Sequence, residues 1–314
     1  MKPFVTLGDL VADFYVGIER LPVQAGRHQD VSDLALGPGG AGNALTAAAR
    51  LGLPCIALGG LGQDWVGQRI FQQLQAEGVN VDHLTWMPNE NTAVAVVLRA
   101  ERGEHVFLGY YGTRGPQTLP AHYLPILQNA GVLMVDGWTF RHDWPAPILA
   151  GMEIAYRAGV STLFDPGPQL AELDVGWLRA MLNATRVLLA TQDEARVLQR
   201  KLGAVSLNAL PQIETAIIKH GAGGCVISTP QRTFECAGFS VEVKDLTAAG
   251  DCFAAGVAWG IWRGLPWEMI GVLANAVGAA KVQKIGTALS APTRAEVAAL
   301  LHAQRPEVAA QLNL

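Results

Sequence analysis

The sequence predicts an α/β protein: a three-layer, mostly parallel sheet with helices on both faces, plus a small β-sheet lid. Three observations predict it. From Leu119 onward, short apolar strand-like runs alternate with helical segments, the pattern of a parallel sheet covered on both sides. Half of the 314 residues are hydrophobic and 16% are charged, enough apolar material for a large core and too much for a disordered chain. Two β-rich stretches, about 14–36 and 92–110, break the alternation and would suit a flap over the open end of the sheet. No linker, repeat or low-complexity tract divides the chain, so residues 1–314 are expected to form a single domain.

The elements follow in order. Pro3–Leu7 is a short buried strand ending at Gly8. Phe14–Ile18 and Asp30–Leu36 read as half-buried strands, and Gly37–Gly42 as a turn leading into an Ala-rich helix over Asn43–Leu51. Pro54–Leu58 is a strand, and Trp65–Gly78 a helix that Asp64 could cap. Thr92–Arg99 and Glu104–Tyr110 flank the turn Glu101-Arg-Gly103. Strands at Val132–Val135, Thr162–Phe164, Val187–Leu189 and Thr215–Ile218 alternate with helices, among them Pro145–Ala158 and 192–202. A short hairpin, Val226–Ser228 with Thr233–Glu235, precedes helices at 249–263, 266–282 and 293–303.

Several function classes are disfavoured. Net charge is −4 and no Lys/Arg-rich run exists, so neither nucleic acid nor an anionic membrane is an expected partner. The four cysteines lack CxxC spacing and read as free thiols, and the seven scattered histidines suggest no zinc site. The N-terminus has no signal-peptide layout and no segment is apolar enough to span a membrane, so a soluble, cytoplasmic protein is expected.

Gly37-Pro-Gly39-Gly40-Ala-Gly42 matches G-x-G-x-x-G literally and leaves three readings open. A dinucleotide site would need a buried strand before it and an acid at the end of the next strand. Here Asp30 and Asp33 interrupt the first, and Ala57-Leu-Gly-Gly60 lacks the second. A purely structural turn is the second reading. In the third, bare backbone at Gly39 and Gly40 lets a polar ligand approach, with Asn43 adding an amide. Asp13 could add a carboxylate able to accept two hydroxyl hydrogen bonds, or be a solvated acid.

Asp245-Leu-Thr-Ala248-Ala249-Gly250-Asp251 is the most informative stretch. Small residues crowd a turn that opens a long apolar helix. Free N–H groups and the helix dipole at such a start favour an anion, and Asp251 would sit beside it. That layout suits phosphoryl transfer, which needs positioning, charge neutralisation and a group to orient the nucleophile. An N-cap on a core helix is the plainer alternative. The P-loop and protein-kinase motifs are absent.

Gly39-Gly40 through Asn43, followed by Ala49-Arg-Leu-Gly52, resembles the N-terminal signature of the ribokinase-like (PfkB) carbohydrate kinases. Residues 245–251 resemble their C-terminal signature, Asp-Thr-x-Gly-Ala-Gly-Asp, and the likeness runs from Gly8 to about Pro292. The resemblance implies ATP-dependent phosphorylation, with Asp251 as catalytic base and Ala248, Ala249 and Gly250 around the transferring group. It implies Asp13, Gly39, Gly40 and Asn43 as substrate contacts, with Trp138 and Arg141 placed to add side chains. Lys219, Gly221, Gly224, Asn275 and Thr191 fall on the nucleotide side. Glu194 would act on Mg2+ through water, and a monovalent cation could lie near Asp245 and Thr247. The chain departs from the pattern at Ala248, Thr191 and Gly167, where the family has Gly, Asn and Asn.

The resulting expectation is a kinase acting on a sugar or sugar derivative, or alternatively a nucleoside. A homodimer could form through the β lid. An NAD-dependent oxidoreductase and a non-catalytic sugar-binding regulator are the competing readings from other classes.

Overall fold

The computed structural model describes residues 2–8, 10–113, 115–139, 146–203, 207 and 213–312; Arg141, an expected substrate contact, lies outside them. Strand β1 (Phe4–Leu7) leads through Gly8 towards β2 (Leu10–Ile18) and β3 (Val31–Gly40). Helix α1 (Ala41–Arg50), β4 (Cys55–Leu58), β5 (Gly60–Gly62), α2 (Trp65–Ala76) and β6 (Thr85–Met87) come next, then β7 (Ala93–Ala100) and β8 (His105–Tyr110). The remainder alternates: α3 (Leu124–Asn129), β9 (Val132–Asp136), α4 (Ala146–Arg157), β10 (Ser161–Asp165), α5 (Val175–Asn183), β11 (Val187–Thr191), α6 (Gln192–Leu202) and β12 (Thr215–Lys219). The hairpin β13 (Cys225–Ser228) and β14 (Thr233–Cys236) is followed by α7 (Ala249–Trp262), α8 (Trp267–Val282), α9 (Arg294–Gln304) and α10 (Pro306–Leu312).

Eight strands form the main sheet in the order β14-β13-β12-β11-β10-β9-β1-β4, parallel except for the β13–β14 hairpin. Its strands alternate between two cores. In β1, Phe4 joins α1, α7 and α8 on one face, while Val5 and Leu7 join α3, α4, α5 and α6 on the other. Strand order reverses at β1, between β4 and β9, the place where open parallel sheets leave a crevice beyond the carboxyl ends of their strands.

A second sheet, ordered β3-β2-β7-β8, supplies the expected lid. It corrects two readings. The segment Gly37–Gly40 is the end of β3, paired antiparallel with β2, and not a turn after a buried parallel strand, so a dinucleotide loop is not formed there. Asp13 lies inside β2, opposite Gly37, and is buried, so it is not a solvated acid.

Helix α7 is buried from Cys252 to Gly260, sandwiched between α1 and α8. Its glycines make this possible: a Cβ on Gly256 would lie 2.8 Å from Ala274 Cα, and one on Gly260 2.6 Å from Ile270 Cγ1. The Trp259 indole donates to Leu51 O at 3.0 Å and fixes α7 against the end of α1. Among the described residues no helix is long and apolar enough to cross a membrane, and all four cysteines are free and buried.

Candidate active site

Four parallel strands end in side chains that face one crevice: Asp136 on β9, Asp165 on β10, Thr191 on β11 and Lys219 on β12. Helix α7 brings its N-terminus, and β2 brings Asp13. The crevice consists of two cavities. The first, of about 380 Å³, is lined by Asp13, Gly40, Asn43, Asp136, Trp138 and Asp251 among others. The second, of about 290 Å³, is lined by Gly221, Gly224, Phe239, Phe253, Asn275 and Val282 among others. They share Thr191, Lys219, Leu246, Ala249 and Gly250 as a common wall.

Asp251 stands in the first turn of α7. The Asn43 amide donates to its Oδ2 at 2.9 Å. Burial pushes the Asp251 carboxyl up to about 7, with Asp136 and Asp165 adding to the rise, while Asn43 and Lys219 oppose it. Burial, reinforced by Asp251, pushes Asp13 up to about 8 against the Asn43 side chain. Gly39 makes room for this carboxylate, since a Cβ there would lie 2.1 Å from Asp13 Oδ1. Gly39 therefore seats Asp13, and Gly40 is the one that lines the cavity.

The turn before α7 is braced from within. Asp245 Oδ1 accepts from Thr247 N at 2.9 Å and Thr247 Oγ1 at 2.7 Å, and its Oδ2 accepts from Gly286 N at 2.9 Å. Ala248 holds φ 60 and ψ 10, a left-handed conformation in which glycine is the comfortable residue. The Ala249 amide donates to Leu246 O at 3.1 Å and is thereby engaged inside the turn. This narrows the expected backbone cradle, because the Ala249 N–H already has a partner. A Cβ on Gly250 would lie 3.7 Å from Lys219 Nζ, so that ammonium sits against the helix start.

Lys219 Nζ donates to Asp165 Oδ2 at 2.5 Å. Burial disfavours its charge, but Asp165 and Glu194 outweigh that and hold its pKa above the ordinary lysine value. Thr191 and Glu194 form a capping box on α6: Thr191 Oγ1 accepts from Glu194 N, and Thr191 N donates to Glu194 Oε2 at 2.7 Å. Both also line the first cavity. Asn275 Nδ2 donates to Cys236 O at 2.9 Å and Ala237 O at 3.3 Å, tying α8 to the loop after β14 beside the second cavity. Gly224 has φ 95 and no space for a Cβ, which would lie 2.1 Å from Cys236 O.

The two cavities thus gather the described residues expected at the site, except Gly39 and Asp245, which line neither. Three acidic or aromatic lining residues among those that sequence reasoning passed over stand out. Asp136 and Asp165 each lie one residue beyond the apolar run that marked their strand, and Phe107 looked like any lid residue.

A crevice at the switch point of a parallel sheet, a buried carboxylate at a helix N-terminus and a covering β sheet define a phosphotransferase of the ribokinase-like class. The chain belongs to the pfkB family of carbohydrate kinases, whose sequence pattern matches residues 1–294. It is 30% identical over 311 residues to an ATP-dependent ribose-1-phosphate kinase of Halopiger xanaduensis, covering 96% of this chain and 98% of that one. It is 25% identical over 308 residues to a ribokinase of Haemophilus influenzae, covering 94% and 97%. In fold it resembles the Burkholderia thailandensis nucleoside kinase solved with inosine, with a TM-score of 0.80, 23% identity, and 96% and 99% coverage.

Proposed function

We propose that the protein transfers the γ-phosphoryl group of ATP to a hydroxyl of a small sugar or sugar derivative, with Asp251 as the general base. The carrying observation is the junction of the two cavities at Ala249–Gly250, with Asp251 on one side and Lys219 beside it. A donor in the second cavity and an acceptor in the first would meet at that wall.

The second cavity suits a nucleotide. Phe239, Val241, Phe253 and Val282 offer an apolar seat for a flat base, and Lys219 with the start of α7 offers positive potential for phosphates. In the first, Asp13, Asn43 and Gly40 would hold acceptor hydroxyls, and Asp251 would take the proton of the one that attacks. The amide of Gly250 and the Lys219 ammonium would bind the transferring group.

Mg2+ fits this arrangement when held mainly by phosphate oxygens and its own waters, as is usual for it. Among the described residues no cluster of three or more acidic, His or Cys side chains exists to hold a metal alone, and Glu194 is placed to act through water. Bound Mg2+ would neutralise charge on the donor phosphates. A monovalent cation at Asp245 would have to share a carboxylate that already accepts three hydrogen bonds from the chain.

A nucleoside acceptor is the second reading, favoured by the aromatic residues of the first cavity. The deciding experiment is an ADP-release screen over sugars, sugar acids, sugar phosphates and nucleosides, run beside Asp251→Asn. Acceptor-dependent ADP release that the variant lacks supports the assignment; equal release by the variant removes Asp251 from the role.

A further inference from the structure

The register of the small sheet builds a slot over the first cavity. Asp13 on β2, Ala95 on β7 and Gly109 on β8 are direct cross-strand neighbours, so they share one face. Phe107 and Tyr111 lie two positions to either side of Gly109, on that same face. All five line the cavity. A row therefore runs from a carboxylate across two residues with almost no side chain, and aromatic rings bound its far end. Trp138 adds an opposing ring from the turn Gly137–Thr139, with its centroid 6.4 Å from that of Phe107 and the planes 49° apart.

The protein's own packing does not require glycine at 109. Its φ is not in the left-handed region, and among the described residues a Cβ there would meet only Tyr111 Cε1, at 3.9 Å. The described residues leave the space above it open. Phe107 is 46% exposed and Tyr111 43%, a large aromatic surface left bare at a cavity mouth. At the deep end, Asn43 is 4% exposed and its Oδ1 has no partner, so a hydrogen-bond acceptor waits inside the same cavity.

Length and charge narrow the ligand. Two strand spacings across and one same-face step along put the Cα atoms of Asp13 and Phe107 roughly 12 Å apart. A single sugar ring bound at Asp13 would leave the aromatic end empty, while a sugar bearing a flat ring would fill both. Among the described lining residues Lys219 is the one cation, and it is bonded to Asp165, whereas Asp13, Asp136 and Asp251 are all acids. Among the described residues an anionic acceptor would meet like charge there.

We propose that the acceptor is a nucleoside. Its ribose hydroxyls meet Asp13 and Asn43, and its base lies over Gly109 between Phe107 with Trp138 on one side and Tyr111 on the other. The assignment rests on the kinase reading above and takes up the second of its two acceptor classes.

The test compares kcat/KM for inosine, uridine, ribose and ribose 1-phosphate, in the wild type and in Phe107→Ala and Gly109→Val, with calorimetric binding of inosine in parallel. Base stacking of this kind is worth roughly tenfold to a hundredfold in affinity. A nucleoside should be the best substrate, and each variant should lower the nucleoside-to-ribose ratio of kcat/KM by about tenfold or more. Valine at 109 suits a strand and fills the slot, so it separates loss of the slot from loss of the fold. Preference for ribose or ribose 1-phosphate, with both variants acting equally on all acceptors, overturns the proposal and leaves the kinase reading intact. If no acceptor is phosphorylated, the kinase reading fails. Inosine binding that Gly109→Val abolishes would still uphold the slot, and absence of binding would refute it.

Discussion

The Asn43 amide nitrogen lies 2.9 Å from Asp251 Oδ2, so the two signature segments of the chain meet in one hydrogen bond. Asn43 belongs to the first turn of α1 and Asp251 to the first turn of α7. The packing of those helices, fixed at the other end by Trp259 on Leu51 O, therefore sets the direction of the carboxylate.

Asp251→Asn keeps the shape and removes the proposed base. General-base catalysis typically contributes about a hundredfold to ten-thousandfold, and kcat should fall by that much. Calorimetric affinity for nucleotide and acceptor should stay within a few-fold. Asn43→Ala leaves Asp251 in place without its orienting donor. The expected result is a smaller fall in kcat and an acidic limb of the rate profile displaced upward, because the lost hydrogen bond favours the ionised carboxylate.

Ionisation of Asp251 should govern the pH profile. Its carboxyl titrates at about 7, so kcat/KM should rise with pH through that region. Stability should move the opposite way. Asp13 and Asp251 both titrate higher in the folded protein than their ordinary value of 3.8, so the native state holds protons that the unfolded chain gives up. Their contribution is complete below about pH 4 and is lost as pH rises towards 8. Asp13→Asn should flatten this decline in melting temperature between pH 5 and 8. A slope equal to the wild type's would show that Asp13 does not supply it.

Ala248 carries a left-handed backbone that costs an L-residue about 1–2 kcal/mol. Glycine relieves this but is more flexible in the unfolded chain by about 0.4–1 kcal/mol. Ala248→Gly should therefore stabilise by about 0.5–1 kcal/mol, the difference of those two effects. Ala249→Gly, one step into the helix, should destabilise by a similar amount, about 0.5–1 kcal/mol. Thermal unfolding of the two variants side by side reads the opposite signs.

Strand β8 is the edge of the small sheet, and Val106, Leu108 and Tyr110 are exposed on the face away from the cavity. An apolar edge of this kind is usually covered, and a second copy pairing there is the expected cover. Sedimentation should show a dimer that Leu108→Lys shifts towards monomer. A monomeric wild type at micromolar concentration would count against it.

Much of this was legible from local sequence. Helix 192–202 was bounded correctly because Thr191 and Glu194 form a capping box, and the parallel strands because their apolar runs are short and separated by helices. What local sequence hid was set by pairing. Gly37, Pro38, Gly39 and Gly40 have little strand propensity of their own, and become strand because β2 lies beside them. Asp13 could equally be a solvated acid on sequence alone, because only the sheet shows its carboxylate in the space Gly39 leaves. Asp136 and Asp165 are acids that happen to end their strands, and only the register that sets them side by side marks them as cavity residues. Phe107 gains meaning from Gly109, two residues along β8 on the same face, and from Ala95, which pairs with Gly109 across the sheet.

The shared wall at Ala249–Gly250 bears on inhibitor design. Two compartments that touch can be filled by one tethered molecule, an acceptor mimic joined to adenosine through a short polyphosphate. Once the first half binds, the second is presented at an effective concentration in the millimolar range. Such a ligand should exceed either half alone by about a hundredfold or more, provided the tether spans the Lys219–Gly250 junction.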